Sequence, residues 1–524
     1  MKDSSLCRRL GQPSATASCT LLAASLLAVM PARGAVIDWI NPGTGDWSDG
    51  GNWLGGVPTS NDSAIIDNGG TARISGPGAA ADVTVIGNSS SGSGFLTIDS
   101  GGTLTNLNGR IGNATGATGQ VTVSGNGSAW TSNGDALYGA SGDGTLLIEN
   151  GGAVINQGGT IAQGIDSTAS VTVSGAGSSW ISNRNTTVGS GGIGILTVSA
   201  GASVSTELNA SIGNGSTSIG VATVSGAGSA WNIDGAFSSF FVGLTGNGTL
   251  TVSDGGVVNV THDSTIAQNT GSTGDVTVTD TGSSWTSGGT LTVGRRSNAF
   301  LSVRNGADVD SSAGIIGGDS GASGTVAVDG TGSTWTNTNA LQVGLDGSAT
   351  LIIRNGGVVS STDGSIGENA GSVGTAAVGG AGSVWNNSNA LVVGRSGNGD
   401  LTVANSGTVN SVGGSVGENT GATGTVLVDG AGSVWTAREV QFDPFLGNVS
   451  VGDLFVGRTG SGSMTVTNGG VVESAQGFVG QNGPGDVVIS GANSTWDNTS
   501  TVTLGNFGDG TLTLADGGRL AASS

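Results

Sequence analysis

The chain has 524 residues, 103 of them glycine, with a formal net charge of -21. Glycine at this frequency argues against a mainly helical protein, because each helix-interior glycine costs about 1 kcal/mol, and its spacing is not the every-third pattern of collagen. Fifteen Lys and Arg against 36 Asp and Glu exclude the basic face of a nucleic-acid binder, while 35% hydrophobic residues provide a core and argue against disorder.

Residues 1–34 read as a secretory signal. Lys2, Arg8 and Arg9 form a positive start, Cys19 to Met30 is an apolar run, and Ala32, Arg33 and Gly34 give small-residue cleavage spacing. The run is too short to span a bilayer. Cys7, Cys19 and Lys2 all lie here, so the processed chain would hold no disulfide, no cysteine metal site and no lysine. Residues 35–80 follow, with Trp39, Trp47 and Trp53 in DWINPGTGDWSDGGNWLGGVP. We expect an N-terminal cap that covers the first strand edge, an aggregation hazard when open. A carbohydrate-binding aromatic cluster is the alternative.

Residues 81–524 form a repeat array. Trp130, Trp180, Trp231, Trp285, Trp335, Trp385, Trp435 and Trp496 share the phrase G-x-G-S-x-W or a close variant, mostly 50 residues apart. Such a period signals a solenoid, propeller or array. Each unit contains two alternating strands, VTVS in one half and LTVS or LLIE in the other. Their middle residues run Thr97, Thr122, Leu147, Thr172, Thr197, Thr223, Thr251, Thr277, Ser302, Ala327, Ile352, Ala377, Thr402, Leu427, Thr465, Val488 and Thr513. The intervals are 25 or 26, apart from 28 before Thr251, 38 before Thr465 and 23 before Val488. All 34 flanking residues are apolar. Period-two alternation therefore sends two aliphatic residues inward and one residue, usually Thr, outward.

This pattern predicts an all-β fold, a parallel β-helix of about 17 coils with about 25 residues per coil, stacked at about 4.8 Å. One coil cannot bury its apolar face alone; stacking makes the core. Recurring Asn/Asp-Gly pairs, such as Asn305-Gly306 and Asn355-Gly356, and Ile/Val-Gly pairs, such as Val343-Gly344, mark corners. A propeller with eight Trp blades is the competing architecture. The 25-residue half-period argues against it, as do the absence of Gly-His and the occurrence of Trp-Asp in a single repeat, at Trp496. The repeat Trp residues are expected to alternate with aliphatics of the intervening coil, Val204, Val258, Val358 and Val409, and to fill one corner of the core. The alternative is an exposed sugar-binding ladder.

The phrases GATGTVLVDGAGSVWT (Gly421 to Thr436) and LFVGRTGSGSMTVTNGGVV (Leu454 to Val472) resemble the glycine-rich repeat of autotransporter passenger regions and of some PEP-CTERM sorted proteins. The resemblance covers roughly residues 85–524. It implies a right-handed parallel β-helix on the bacterial surface or outside the cell. The sequence departs from those families at its far end, Leu520 to Ser524, where neither a barrel translocator nor a sorting tail is found. The outer-membrane translocator is thus expected to be supplied elsewhere or to be missing.

Chemistry-bearing residues are sparse. His262 is the single histidine and reads as a turn residue; a Ser-His-Asp triad would have one possible base. A histidine-rich zinc site and a lysine-containing phosphate loop are excluded. Scattered Asp-Gly pairs read as turns, not calcium ligands. No cofactor and no metal site is expected. Glu368 and Glu418 occupy matching corners two coils apart, about 9.6 Å by strand spacing, within reach of glycosidase geometry. Repetition explains them more simply than catalysis. An insertion at 437–450, AREVQFDPFLGNVS, breaks the array and makes Phe442, Pro444 and Phe445 the candidate binding loop.

The expected function is a non-enzymatic, exported rod of a Gram-negative bacterium, secreted or on the cell surface, with adhesin or structural character. Surface glycans and host or matrix proteins are the expected partners. A polysaccharide-active β-helix enzyme is the alternative.

Overall fold

A computed structural model describes residues 34–443 and 447–522. Positions 1–33 of the expected signal lie outside the described residues. The chain winds into an all-β parallel solenoid of 19 turns. A regular turn has three strands, for example Thr118–Ser124, Ala129–Ser132 and Ala136–Tyr138, and in two turns one long strand, Ser284–Val293 or Asp308–Ile316, serves as the second and third. Stacking places them in a first, a second and a third sheet. Among the described residues the helical content is one 3-10 turn, Gly50–Asn52.

The ladder expected from the alternating phrases is the register of the first sheet. Thr97 pairs with Thr122, Thr122 with Leu147, and so on through every step to Thr513. Flanking residues such as Val121, Val123, Leu351 and Ile353 are completely buried. The expected 17 coils become 19 because Arg73 pairs with Thr97 and Asp46 with Arg73. The segment 35–80 thus supplies turns of its own. At its start, Trp53–Leu54 lies antiparallel on Val36–Trp39, which pairs in parallel with Ser63–Ile66. Trp53 meets Trp39 and Trp47 edge-on, with ring centroids 4.9 and 4.7 Å apart. All three rings are buried, which overturns the exposed aromatic cluster.

The repeat tryptophans lie in the second sheet and are at most 1% exposed. Their register alternates with aliphatics: Trp130, Val154, Trp180, Val204, Trp231, Val258, Trp285, Val309, Trp335, Val359, Trp385, Val409, Trp435, Val472, Trp496. The partner of Trp335 and Trp385 is Val359, not the expected Val358, which points outward and is half-buried. A sugar-binding ladder of these rings is overturned by their burial.

The third sheet explains why the period is 50 and not 25. Its first inward position runs Gly109, Ala136, Gly159, Thr186, Ala210, Phe240, Ser264, Leu291, Gly314, Leu341, Gly364, Leu391, Gly414, Leu454, Gly477, alternating small and large from Ala210 on. The small residue lies in the turn before each tryptophan. A Cβ on Gly314 would meet Trp335 Cζ2 at 2.8 Å, and one on Gly414 would meet Trp435 Cζ2 at 2.8 Å. The indole of one turn therefore fills the space that the previous turn leaves empty.

A polar ladder serves five of the eight repeat indole nitrogens, while those of Trp130, Trp285 and Trp385 are buried without a partner. Trp335, Trp435 and Trp496 donate from Nε1 to the hydroxyls of Ser311, Ser411 and Ser474 at 3.0–3.1 Å, and Trp180 donates to Asn156 Oδ1 at 2.6 Å. Such pairing removes the cost of a buried unsatisfied donor. The serine of G-x-G-S-x-W has a separate role. The hydroxyls of Ser178, Ser333 and Ser383 each accept the backbone N–H of Gly151, Gly306 and Gly356 in the preceding turn, all at 3.0 Å. Those glycines follow Asn150, Asn305 and Asn355, and both members of each pair have positive φ. The two recurring phrases are thus two halves of one corner.

Eighteen steps at about 4.8 Å give a rod of about 86 Å. Replacing Gly364 by Ala should lower the melting temperature, because its Cβ would crowd Trp385 Cζ2 at 3.0 Å and Leu391 Cδ1 at 2.8 Å. Overpacking of this kind costs about 1–3 kcal/mol. In a Trp385→Leu background the same glycine change should cost less, the remaining cost coming from contacts with Asn387 Oδ1 at 2.5 Å and Leu391. Thermal unfolding of the four proteins of this cycle measures the coupling.

Candidate binding face on the third sheet

Departures from the regular repeat gather at one corner. The link from the second to the third strand is two or three residues in ordinary turns, as in 338–340 and 362–363. It expands to six residues at 234–239 and to sixteen at 438–453. The first expansion produces the 28-residue interval and the second the 38-residue interval. Both flank the outer surface of the third sheet. In repeat proteins, insertions confined to one face commonly mark the binding face.

The first expansion borders a trough of 360 Å³, within the size range of small-ligand sites. Phe241, Thr265, Thr292 and Ile315 form its floor, in register on successive turns. One wall begins with Ser239 and Asp263; the other holds Gln268, Arg295 and Leu345. Asp263 Oδ1 accepts the Thr290 N–H at 2.8 Å. Gln268 Oε1 is buried with no partner. Phe237, on the expanded link, is 89% exposed and stacks on His262 with centroids 6.5 Å apart.

Further along the same face, Phe455 and Phe478 stack at 4.8 Å, and the Arg458 guanidinium lies 5.0 Å from the Phe455 centroid. These rings occupy the position before Val-Gly that elsewhere holds residues such as Thr292, Gln342 or Ser415. An aromatic in that slot, or a lengthened interval, was the available sequence signal for this face. Neither Phe241, Arg295 nor the Phe455–Phe478 pair was singled out from sequence.

The residues singled out from sequence are placed as follows. Glu368 pairs with Arg395 at 3.0 Å and Glu418 with Arg458 at 2.6 Å. Arg395 belongs to the turn between the two carboxylates, so they do not face each other across an open cleft as an acid–base pair. His262 sits at a bend, and its Nδ1 has no hydrogen-bond partner among the described residues. Phe442 lies in Glu439–Asp443, which forms an antiparallel hairpin with Gly447–Val451. Pro444 and Phe445 lie outside the described residues. Arg438, at the hairpin base, contacts Glu473 at 3.4 Å and Asp497 at 3.8 Å. No group of three potential metal ligands occurs among the described residues.

A second cleft, of 500 Å³, lies at the N-terminal end of the rod, lined by Val57, Pro58 and Pro77 with Asp46 and Ser48 at its edge. Ser48 donates to Asp46 from its hydroxyl and its backbone N–H, and this holds the carboxyl below its ordinary value.

No family model matches the chain, and no curated protein matches it. Among solved structures, the chain is similar to the TibC-catalysed, hyper-glycosylated TibA fragment 55–350, at 18% identity over 77% of this chain and 92% of that one, with a TM-score of 0.25. A likeness of that order carries no argument about function, and the fold rests on the strand register itself.

Asp453 closes the large expansion just before Leu454–Val456. Burial pushes its carboxyl above the ordinary value of 3.8. A raised folded pKa favours folding when the group is protonated, and that contribution is lost as pH rises through the folded value. Asp453→Asn should therefore raise the melting temperature slightly at pH 7 and leave it unchanged near pH 3. Thermal unfolding at the two pH values checks this.

Proposed function

We propose that the chain is an exported, non-enzymatic rod of a Gram-negative bacterium, similar in role to an autotransporter passenger, which binds partners along its third sheet. The observation that carries this reading is the shared corner of the two expanded links. The stiff stack holds both links, the trough and the Phe455–Phe478 pair on one side. Weak contacts spread along such a face add through effective concentration. The secretory character of residues 1–34 and the acidic balance of the chain support export and argue against nucleic acid as partner. Surface glycans and host or matrix proteins remain the partner classes. The ion pairs of Glu368 and Glu418 weigh against the polysaccharide-cleaving alternative.

Expression of the full chain in a Gram-negative host tests the reading. The expected outcome is processing near residue 34 and recovery outside the cytoplasm, in the periplasm when no translocator is co-expressed and at the protease-accessible surface when one is. The purified rod should bind glycan or matrix surfaces without turnover. Retention in the cytoplasm, or polysaccharide cleavage abolished by Glu368→Gln or Glu418→Gln, would overturn it.

A further inference from the structure

The trough over Phe241 is built by one missing side chain. After each third strand, a corner residue stacks on its equivalent in the next turn. This row runs Gln268, Arg295, Gly318, Leu345, Glu368, with backbone N–H groups bonded to the preceding turn. Gly318 alone among these five lacks a side chain, and its φ does not require glycine. A Cβ there would contact the Arg295 Cα at 3.2 Å and Thr292 Cγ2 at 3.4 Å. The Arg295 carbonyl oxygen would lie at 3.3 Å, so glycine here both permits a close approach to the Arg295 backbone and leaves the row open at the trough.

The groups around that space are poorly satisfied by the protein itself. Arg295 makes no ion pair among the described residues, whereas its neighbour Arg296 pairs with Asp319 at 2.7 Å. Gln268 Oε1 is buried without a donor. Asp263 uses Oδ1 on a backbone N–H, which leaves its second oxygen for a ligand. Between these polar groups lie the Phe241 ring and the Ile315 side chain. Donors and acceptors that alternate beside an apolar floor suit a molecule with hydroxyls at its edge and C–H groups on its face.

We propose that this trough binds a segment of neutral polysaccharide lying along the rod axis. The proposal rests on the surface-rod reading and names the ligand class of that face. Length supports a polymer: the lining residues span the turns of Phe241 to Leu345, four steps or about 19 Å. Charge selects a neutral one. Arg295 and Arg296 balance Asp263 and Asp319 locally, while the chain as a whole carries -21; a polyanion would be repelled by the rod, and a neutral chain would not. The sugar faces pack on Phe241 and Ile315, and its hydroxyls meet Arg295, Gln268 and Asp263.

Affinity electrophoresis of the purified chain tests the assignment, in gels containing dextran, mixed-linkage β-glucan or galactomannan, with polygalacturonate as the anionic comparison. At least one neutral polymer should retard the protein. Gly318→Leu, which refills the row as Leu345 does, should weaken retardation at least tenfold in protein that remains folded, with a small drop in melting temperature from its contact with the Arg295 backbone, and Arg295→Gln should weaken it as much with the melting temperature unchanged. Phe241→Thr, which installs the residue type found at 265 and 292, should do the same. Absence of retardation by every neutral polymer, stronger retardation by polygalacturonate, or undiminished binding by folded Gly318→Leu would overturn the proposal. The two readings fail separately. Cells that display Gly318→Leu and adhere unchanged would leave the surface rod standing without its trough. A purified chain that binds in gels but is retained in the cytoplasm on expression would do the reverse.

Discussion

The interior of this solenoid depends on one steric exchange: an indole in one turn occupies the volume that a missing side chain leaves in the turn before. Parallel in-register stacking puts equivalent positions about 4.8 Å apart, closer than two tryptophans can share one corner. Alternation of Trp with Val in the second sheet relieves that crowding. Alternation of Gly, Ala or Ser with Leu or Phe in the third sheet returns the volume on the opposite wall. Close packing tolerates neither voids nor overlaps, so the two alternations must remain in phase. The structural unit is therefore two turns, although the backbone repeats every turn.

This constraint separates what the sequence discloses from what it conceals. The Thr97 to Thr513 ladder was legible because strand alternation has period two and a register slip would turn every aliphatic outward. Corner glycines after asparagine were legible because positive φ restricts residue choice. The partner of Trp385 was misplaced by one residue, since Val358 and Val359 are chemically alike and only the strand boundary decides which points inward. The first two turns were hidden because Asp46 and Arg73 replace the usual threonine. The proposed binding face was hidden for a different reason. Gly318 is one glycine among 103, and only its place in a spatial row distinguishes it from the turn glycines.

The corners also explain where the array can vary. The corner after the first strand is tied by serine hydroxyls to glycine N–H groups of the turn before. At the corner after the third strand, the glycine backbone packs against the adjoining turn; a Cβ on Gly344 would meet the Val373 carbonyl oxygen at 2.8 Å. Extra residues at either place would break contacts that propagate along the stack. The link between second and third strands has less to lose, and it accommodates both the six-residue and the sixteen-residue expansions. Structural tolerance thus places variable loops beside the third sheet, where a binding function can use them.

Stacking imposes a comparable rule on charge. Equivalent side chains in adjacent turns are near neighbours, and like charges there destabilise a sheet. The chain answers by opposing acids and bases along its columns. Arg73 meets Asp99, Arg354 meets Asp329, and Glu368, Arg395, Glu418 and Arg458 alternate through four turns. Exposed pairs of this kind contribute little stability each, so their value lies in avoiding repulsion within the stack. Arg295 stands outside this pattern: its neighbours in the row are an amide and a glycine, and neither supplies a counter-charge. Its guanidinium shares the trough with Asp263 and Asp319 but pairs with neither among the described residues, which leaves its N–H groups for the ligand proposed there.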